Sequence, residues 1–224
     1  MTSWTARHAP ALEEPQFRLL FIGTTFMQIA FAMMMVVQGA VAFDLTGKNS
    51  AVGLVSLGMG VSMITLGPIG GSVSDRVSKR RLLLITQLVM AAMYATTGVL
   101  ILTDMITIPL LVASTVVMGA MFAFMGPTRQ AWVGDLLEGE RLVNGVALQQ
   151  IMMNATRIAG PLLAGALVAV SFIGTGGAYL GMFTLFAIVI ATLLAMAPTA
   201  PRPGSGHGSI VSGISDGAAY IWRE

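Results

Sequence analysis

Residues 70–84 read GGSVSDRVSKRRLLL, and here a strongly apolar chain turns abruptly polar. Arg76, Lys79, Arg80 and Arg81 are four of the chain's twelve Lys and Arg, and Asp75 sits beside them. Long apolar runs press in from both sides. Cations clustered between two such runs mark a loop held on the inner side of a membrane. The whole composition agrees: 55% of the 224 residues are hydrophobic and 10% charged, with a mean hydropathy of +0.82. Soluble domains carry about a quarter charged residues, so an ordinary globular protein is excluded. The net charge is only +2, and the basic residues flank apolar runs instead of forming a face, which argues against nucleic acid as a partner. With no Cys, disulfides, thiolate chemistry and Cys-based metal sites are excluded.

A helix needs about 20 apolar residues to cross the hydrocarbon core. Six stretches qualify, roughly 19–43, 51–73, 82–102, 108–125, 148–172 and 177–197. The reading is an all-α membrane protein: a tail over 1–16, a six-helix bundle over 17–198, and a Pro-, Gly- and Ser-rich linker over 199–224. Ala40-Val41-Ala42 has the form of a signal cleavage site, but the first apolar run is too long for a signal peptide. With the N-terminus cytoplasmic, Arg7, Arg18, Arg76, Lys79, Arg80, Arg81, Arg129, Arg141, Arg202 and Arg223 fall inside. Only Lys48 falls outside, and Arg157 lies within a span. That asymmetry predicts cytoplasmic termini in a plasma (inner) membrane.

Gly53, Gly60, Gly67 and Gly71 fall near one face of the second span, where small residues let another helix approach. Asp75 follows at a helix C-terminus, where the dipole disfavours an acid. The neighbouring cations or another helix's N-terminus would compensate it. On these residues alone, an inner loop with one incidental acid is an equal alternative.

The loop resembles the signature between helices two and three of the major facilitator superfamily, of the form G-x-L-a-D-r-x-G-r-k/r. Gly71, Asp75, Arg76, Lys79 and Arg80 fill its positions, and Ser78 stands where its second Gly is usual. A second stretch, PTRQAWVGDLLEGERLVNGVALQQIMMNATRIAGPLLAG over 127–165, looks like the loop and fifth helix of the drug- and siderophore-exporter branch. Pro127, Asp135-Leu136, Asn144, Asn154, Arg157 and the cluster Gly160, Pro161 and Gly165 carry that likeness. The cluster is also similar to the antiporter motif G-x-x-x-G-P-x-x-G-G, with Thr156 and Ala164 in place of two glycines. Thr115 occupies the place of the fourth-span arginine of proton-coupled exporters.

The resemblance implies one half of such a transporter, built from two inverted three-helix repeats. It implies a missing C-terminal six-helix half, so the chain reads as an N-terminal fragment. The alternative is a natural six-helix channel or accessory subunit that dimerises. The implied partners are a small-molecule substrate and the lipid bilayer, and no cofactor or metal is implied. The implied activity is export of drug- or siderophore-like molecules by alternating access. Asp75 would work as a latch, with Lys79 or Arg80 paired to an acid of the four–five loop, Asp135 being the candidate.

Polar groups inside spans are the remaining signal. Gln150, Asn154, Arg157 and Pro161 are spaced to share one face of the fifth helix. That face reads either as a substrate-contacting stripe or as a hydrogen-bond network to a neighbour. Gln28 and Gln38 on the first span, and Gln87 on the third, are weaker cavity candidates. Gly160, Pro161 and Gly165 are candidates for a hinge or packing element. The only histidines, His8 and His207, lie outside the spans, and no acid lies at a span centre. An intramembrane enzyme therefore has no obvious catalytic set. The seventeen Met read as ordinary membrane-helix residues, and Met33, Met34 and Met35 cannot all face one cavity.

Overall fold

The computed structural model describes residues 9–74, 76–170 and 172–197. Asp75, both histidines and the tail from residue 198 onward lie outside the described residues. Six helices are long and apolar enough to cross a membrane: α1 Pro15–Thr46, α2 Asn49–Ser74, α3 Lys79–Leu102, α4 Ile108–Leu136, α5 Gly139–Ala169 and α6 Gly174–Ala195. A short 3-10 turn, Pro10–Glu13, precedes α1. No strand occurs among the described residues.

Local chemistry sets the ends. The Glu14 carboxylate accepts a hydrogen bond from the Gln16 N–H at the start of α1. Gly47, at φ 66°, closes the other end in the left-handed conformation that Gly adopts without strain. Only Leu137 and Glu138 separate α4 from α5. Within the helices, hydroxyls such as those of Thr24, Thr25 and Ser62 donate to carbonyls one turn back, satisfying themselves where lipid offers no partner.

The packing repeats itself. α1 lies on α5 and α6, while α4 lies on α2 and α3, and α3 packs on α6. Exchanging α1–α3 with α4–α6 maps this set of pairings onto itself, which is the pattern of two three-helix repeats. Glycines make the closest approaches. Gly160 of α5 seats against Ala32 of α1, and Gly70 of α2 against the Ala123 backbone of α4. A Cβ on Gly119 of α4 would lie 2.5 Å from the Met59 carbonyl oxygen of α2. Tyr94 of α3, its ring tilted against those of Tyr179 and Phe186, fills the α3–α6 seam.

Three expectations change here. The stripe Gly53, Gly60, Gly67 and Gly71 has open space where each Cβ would be, and Gly58 and Gly70 form the α2 seam instead. Gly165 is likewise open, so within the 160–165 cluster only Gly160 is a close-packing residue. The charged stretch after Met125 is not a loop, because α4 continues to Leu136 and α5 already begins at Gly139. At 1.5 Å per residue the 29-residue α4 is about 44 Å long, against a hydrocarbon core of about 30 Å. Hydropathy ends where the lipid does; the helix runs on.

Candidate functional site

Two adjoining cavities, each about 300 Å³, open along α1. One lies between α1 and α5, with Gln28, Phe31 and Met35 facing Met153, Thr156, Arg157 and Pro161. The other adds α4, with Thr24, Met27 and Gln28 facing Gly126, Arg129 and Gln130, and Gln149, Met152 and Met153 closing it. Gln28 and Met153 line both, so the two form one cleft with a guanidinium in each part. Thr24 and Val36 mark its length on α1, about 18 Å apart along the axis.

Arg157, Gln28 and Pro161 therefore come together as lining residues. Gln150 and Asn154, expected on the same stripe, are instead exposed beside the cleft. The inward face of α5 is carried by Gln149, Met152, Met153 and Thr156, one residue off the expected register. Helical spacing shows which residues share a face but not which face turns inward. Gln38 is 2% exposed within the bundle and lines neither cavity. Its Nε2 donates weakly to the Met35 sulfur, and its Oε1 has no partner. Gln87 is also buried, donating to the sulfurs of Met125 (3.1 Å) and Met27 (3.8 Å). Of the methionine triplet, Met33 and Met34 are buried and Met35 faces the cleft.

Arg129 is the residue that the sequence reading misplaced. Counted there as a loop cation, it sits inside α4 and is 6% exposed. Its Nη1 donates to Thr24 Oγ1 at 2.5 Å, while Nε and Nη2 are buried without a partner. Leaving an ionised group in such a place costs about 2.5–3.5 kcal/mol even on a lenient scale. The signal for it was present. Met125, Trp132, Val133 and Leu136 continue a three-to-four spacing past the end of the apolar run, and all but the partly buried Leu136 are buried.

At one end of the bundle the charged loop engages two other helices. The Lys79 ammonium forms an ion pair with Asp135, which belongs to α4 instead of the four–five loop. Arg80 turns elsewhere: its Nε donates to the Leu193 carbonyl at 3.0 Å and its Nη2 to that of Leu194 at 2.8 Å. A cation on the last carbonyls of α6 satisfies orphan acceptors and the helix dipole together. Arg80→Ala is expected to lower stability by about 1–2 kcal/mol, seen as an earlier thermal melt in detergent, with Arg80→Lys recovering only part. The N-terminal turn docks at the same end, where the Ala11 N–H donates to Asn144 Oδ1 at 3.3 Å and Arg141 pairs with Glu13 at 3.3 Å.

Six apolar helices in repeat-like packing, with a polar cleft between them, are joined by a family match. Residues 5–223 match the family described as transmembrane secretion effector, a family of the major facilitator type. The chain belongs to this family. No curated protein matches it. As a transmembrane secretion effector it is a multi-pass membrane transporter, and no catalytic family is indicated. The cleft gathers Thr24, Gln28, Arg129, Gln130, Gln149 and Arg157 along the bundle. The Lys79–Asp135 and Arg80–α6 contacts tie helix ends that relative helix motion would separate.

Proposed function

We propose that the chain serves a secondary active transporter that exports small drug- or siderophore-like molecules by alternating access, the solute passing through the α1–α4–α5 cleft. The observation that carries this reading is the continuous cleft that shares Gln28 and Met153 between its two parts and holds Arg129 and Arg157. The charge distribution supports cytoplasmic termini. Removing Arg129 from the loop cations still leaves nine inside against Lys48 outside. The Lys79–Asp135 pair, together with Asp75 of the same loop, serves as the latch that favours one facing state.

The test is solute efflux. Cells expressing the full coding sequence, loaded with a fluorescent drug-like dye, are expected to lose it faster than cells without it. Gln28→Leu, which removes the amide common to both parts of the cleft, is expected to slow that loss about tenfold with membrane expression unchanged, because a polar group of the solute then finds no hydrogen-bond partner there. Efflux indifferent to Gln28→Leu would remove the cleft from the pathway.

A further inference from the structure

We infer that the ligand of this cleft is a small organic monoanion with an apolar body, bound by the side edge of the Arg129 guanidinium. The inference rests on the transporter reading and deepens it by naming the charge of the substrate.

The unpartnered atoms of Arg129 are Nε and Nη2, with Nη1 already committed to Thr24. Nε and Nη2 form one edge of the planar guanidinium, and two parallel N–H groups on such an edge match the two oxygens of a carboxylate. The side chain thus keeps its bidentate fork unused. Among the described residues, no carboxylate lines the cavity to fill it. Asp135, further along α4, is engaged by Lys79, and Glu13 by Arg141. The Glu14 side chain caps α1, and Glu138 and Glu140 are exposed. Asp44 and Asp104 lie at the opposite end of the bundle.

The rest of the cavity describes the ligand's body. Met27, Met152 and Met153 supply flexible, polarizable walls that can shift to let a ligand reach the fork. Gln28, Gln130 and Gln149 supply neutral donors and acceptors, and Gly126 leaves open space where a side chain would stand. An engineered cavity of about 150 Å³ takes a benzene, and this one is about 300 Å³. A single buried cation in this part of the cleft fits one negative charge, because Arg157 lies in the other part and is exposed. A benzoate-like group satisfies both the charge and the volume.

The experiment uses the 224-residue chain in phosphatidylcholine nanodiscs, with benzoate and its neutral isostere benzamide as calorimetric probes. Benzoate is expected to bind at least tenfold more tightly than benzamide. Arg129→Gln is expected to bring the two to parity, and Arg141→Gln, outside the cleft, to keep the preference. Arg129→Lys keeps the charge but not the fork, and is expected to lose most of the preference. It reads the fork directly if the glutamine variant folds poorly. Without ligand, Arg129→Gln is expected to melt no lower than the parent chain, because it removes an uncompensated charge. Equal affinities in the parent chain, or a preference that survives both Arg129 substitutions, would overturn the inference. So would phosphatidylglycerol discs in which the lipid abolishes benzoate binding and Arg129→Gln releases that lipid, since the fork would then belong to a headgroup. Benzoate binding without efflux by the full chain would count against the transporter reading alone. Efflux indifferent to substrate charge would count against this inference alone.

Discussion

Gly70→Ala is expected to break the bundle, and Gly67→Ala, three residues earlier on the same helix, to leave it intact. A Cβ on Gly70 would overlap the Ala123 carbonyl and the start of Phe124, all backbone atoms that cannot rotate away. Relief requires α2 and α4 to move apart along their whole seam, the most extensive helix contact in the bundle. Overpacking a well-filled site costs about 1–3 kcal/mol, and a backbone-on-backbone overlap belongs at the upper end. Gly119→Ala is expected to behave alike from the other side, against Met59. Gly67 has nothing within 4 Å of its Cβ position, so its alanine variant gains helix propensity at no steric cost. Size-exclusion profiles and thermal melts in detergent separate the two outcomes. A Gly70→Ala variant as monodisperse and heat-stable as Gly67→Ala would show that the α2–α4 seam is looser than described.

Reversing one charge of the ion pair is expected to have the largest effect on transport. Lys79 and Asp135 retain 20% and 13% side-chain exposure, so their attraction is partly screened and worth about 1 kcal/mol. Lys79→Glu removes that attraction and adds a repulsion of similar size. The shift of about 2 kcal/mol changes the ratio of facing states about thirtyfold. Efflux by the full chain is therefore expected to fall by at least tenfold, with normal amounts of protein in the membrane. The double exchange Lys79→Asp with Asp135→Lys restores opposite charges at the same helix ends and is expected to recover efflux to within a few-fold. No recovery in the exchange, or no loss in the single variant, would reduce the pair to a surface contact.

The elements were legible in the sequence to different depths. Apolar runs of about 20 residues have few fates besides crossing a bilayer, so all six helices could be read from hydropathy. The end of α4 and the start of α5 could not, because residues 128–136 and 139–148 mix charged and polar residues among the apolar ones and break the continuous apolar run that hydropathy detects. That blind spot hid Arg129. The family's loop signature pointed to Lys79 or Arg80 as the cation facing Asp135 without choosing between them, and nothing local placed Arg80 on the carbonyls of α6, more than a hundred residues away. The glycine stripe misled for a geometric reason. Residues seven apart drift about 20° per repeat around a straight helix, and the spacing of Gly53, Gly60 and Gly67 is silent about which side of α2 meets α4. The same silence displaced Gln150 and Asn154 from the cleft in favour of Gln149 and Met153.

Alternating access can be tested most directly by asking which side of the membrane reaches the cleft. The 224 residues contain no Cys, so Gln149→Cys adds a single reporter thiol to them, and any Cys elsewhere in the full chain is first replaced by Ser. Gln149 lines the Arg129 part of the cleft. In the full chain, a membrane-impermeant maleimide is expected to label that thiol from outside in right-side-out vesicles and from inside in inverted ones. Lys79→Glu is expected to shift the ratio of the two rates by tenfold or more. Labelling from one side only, unchanged by Lys79→Glu, would contradict a cleft that opens alternately to both faces.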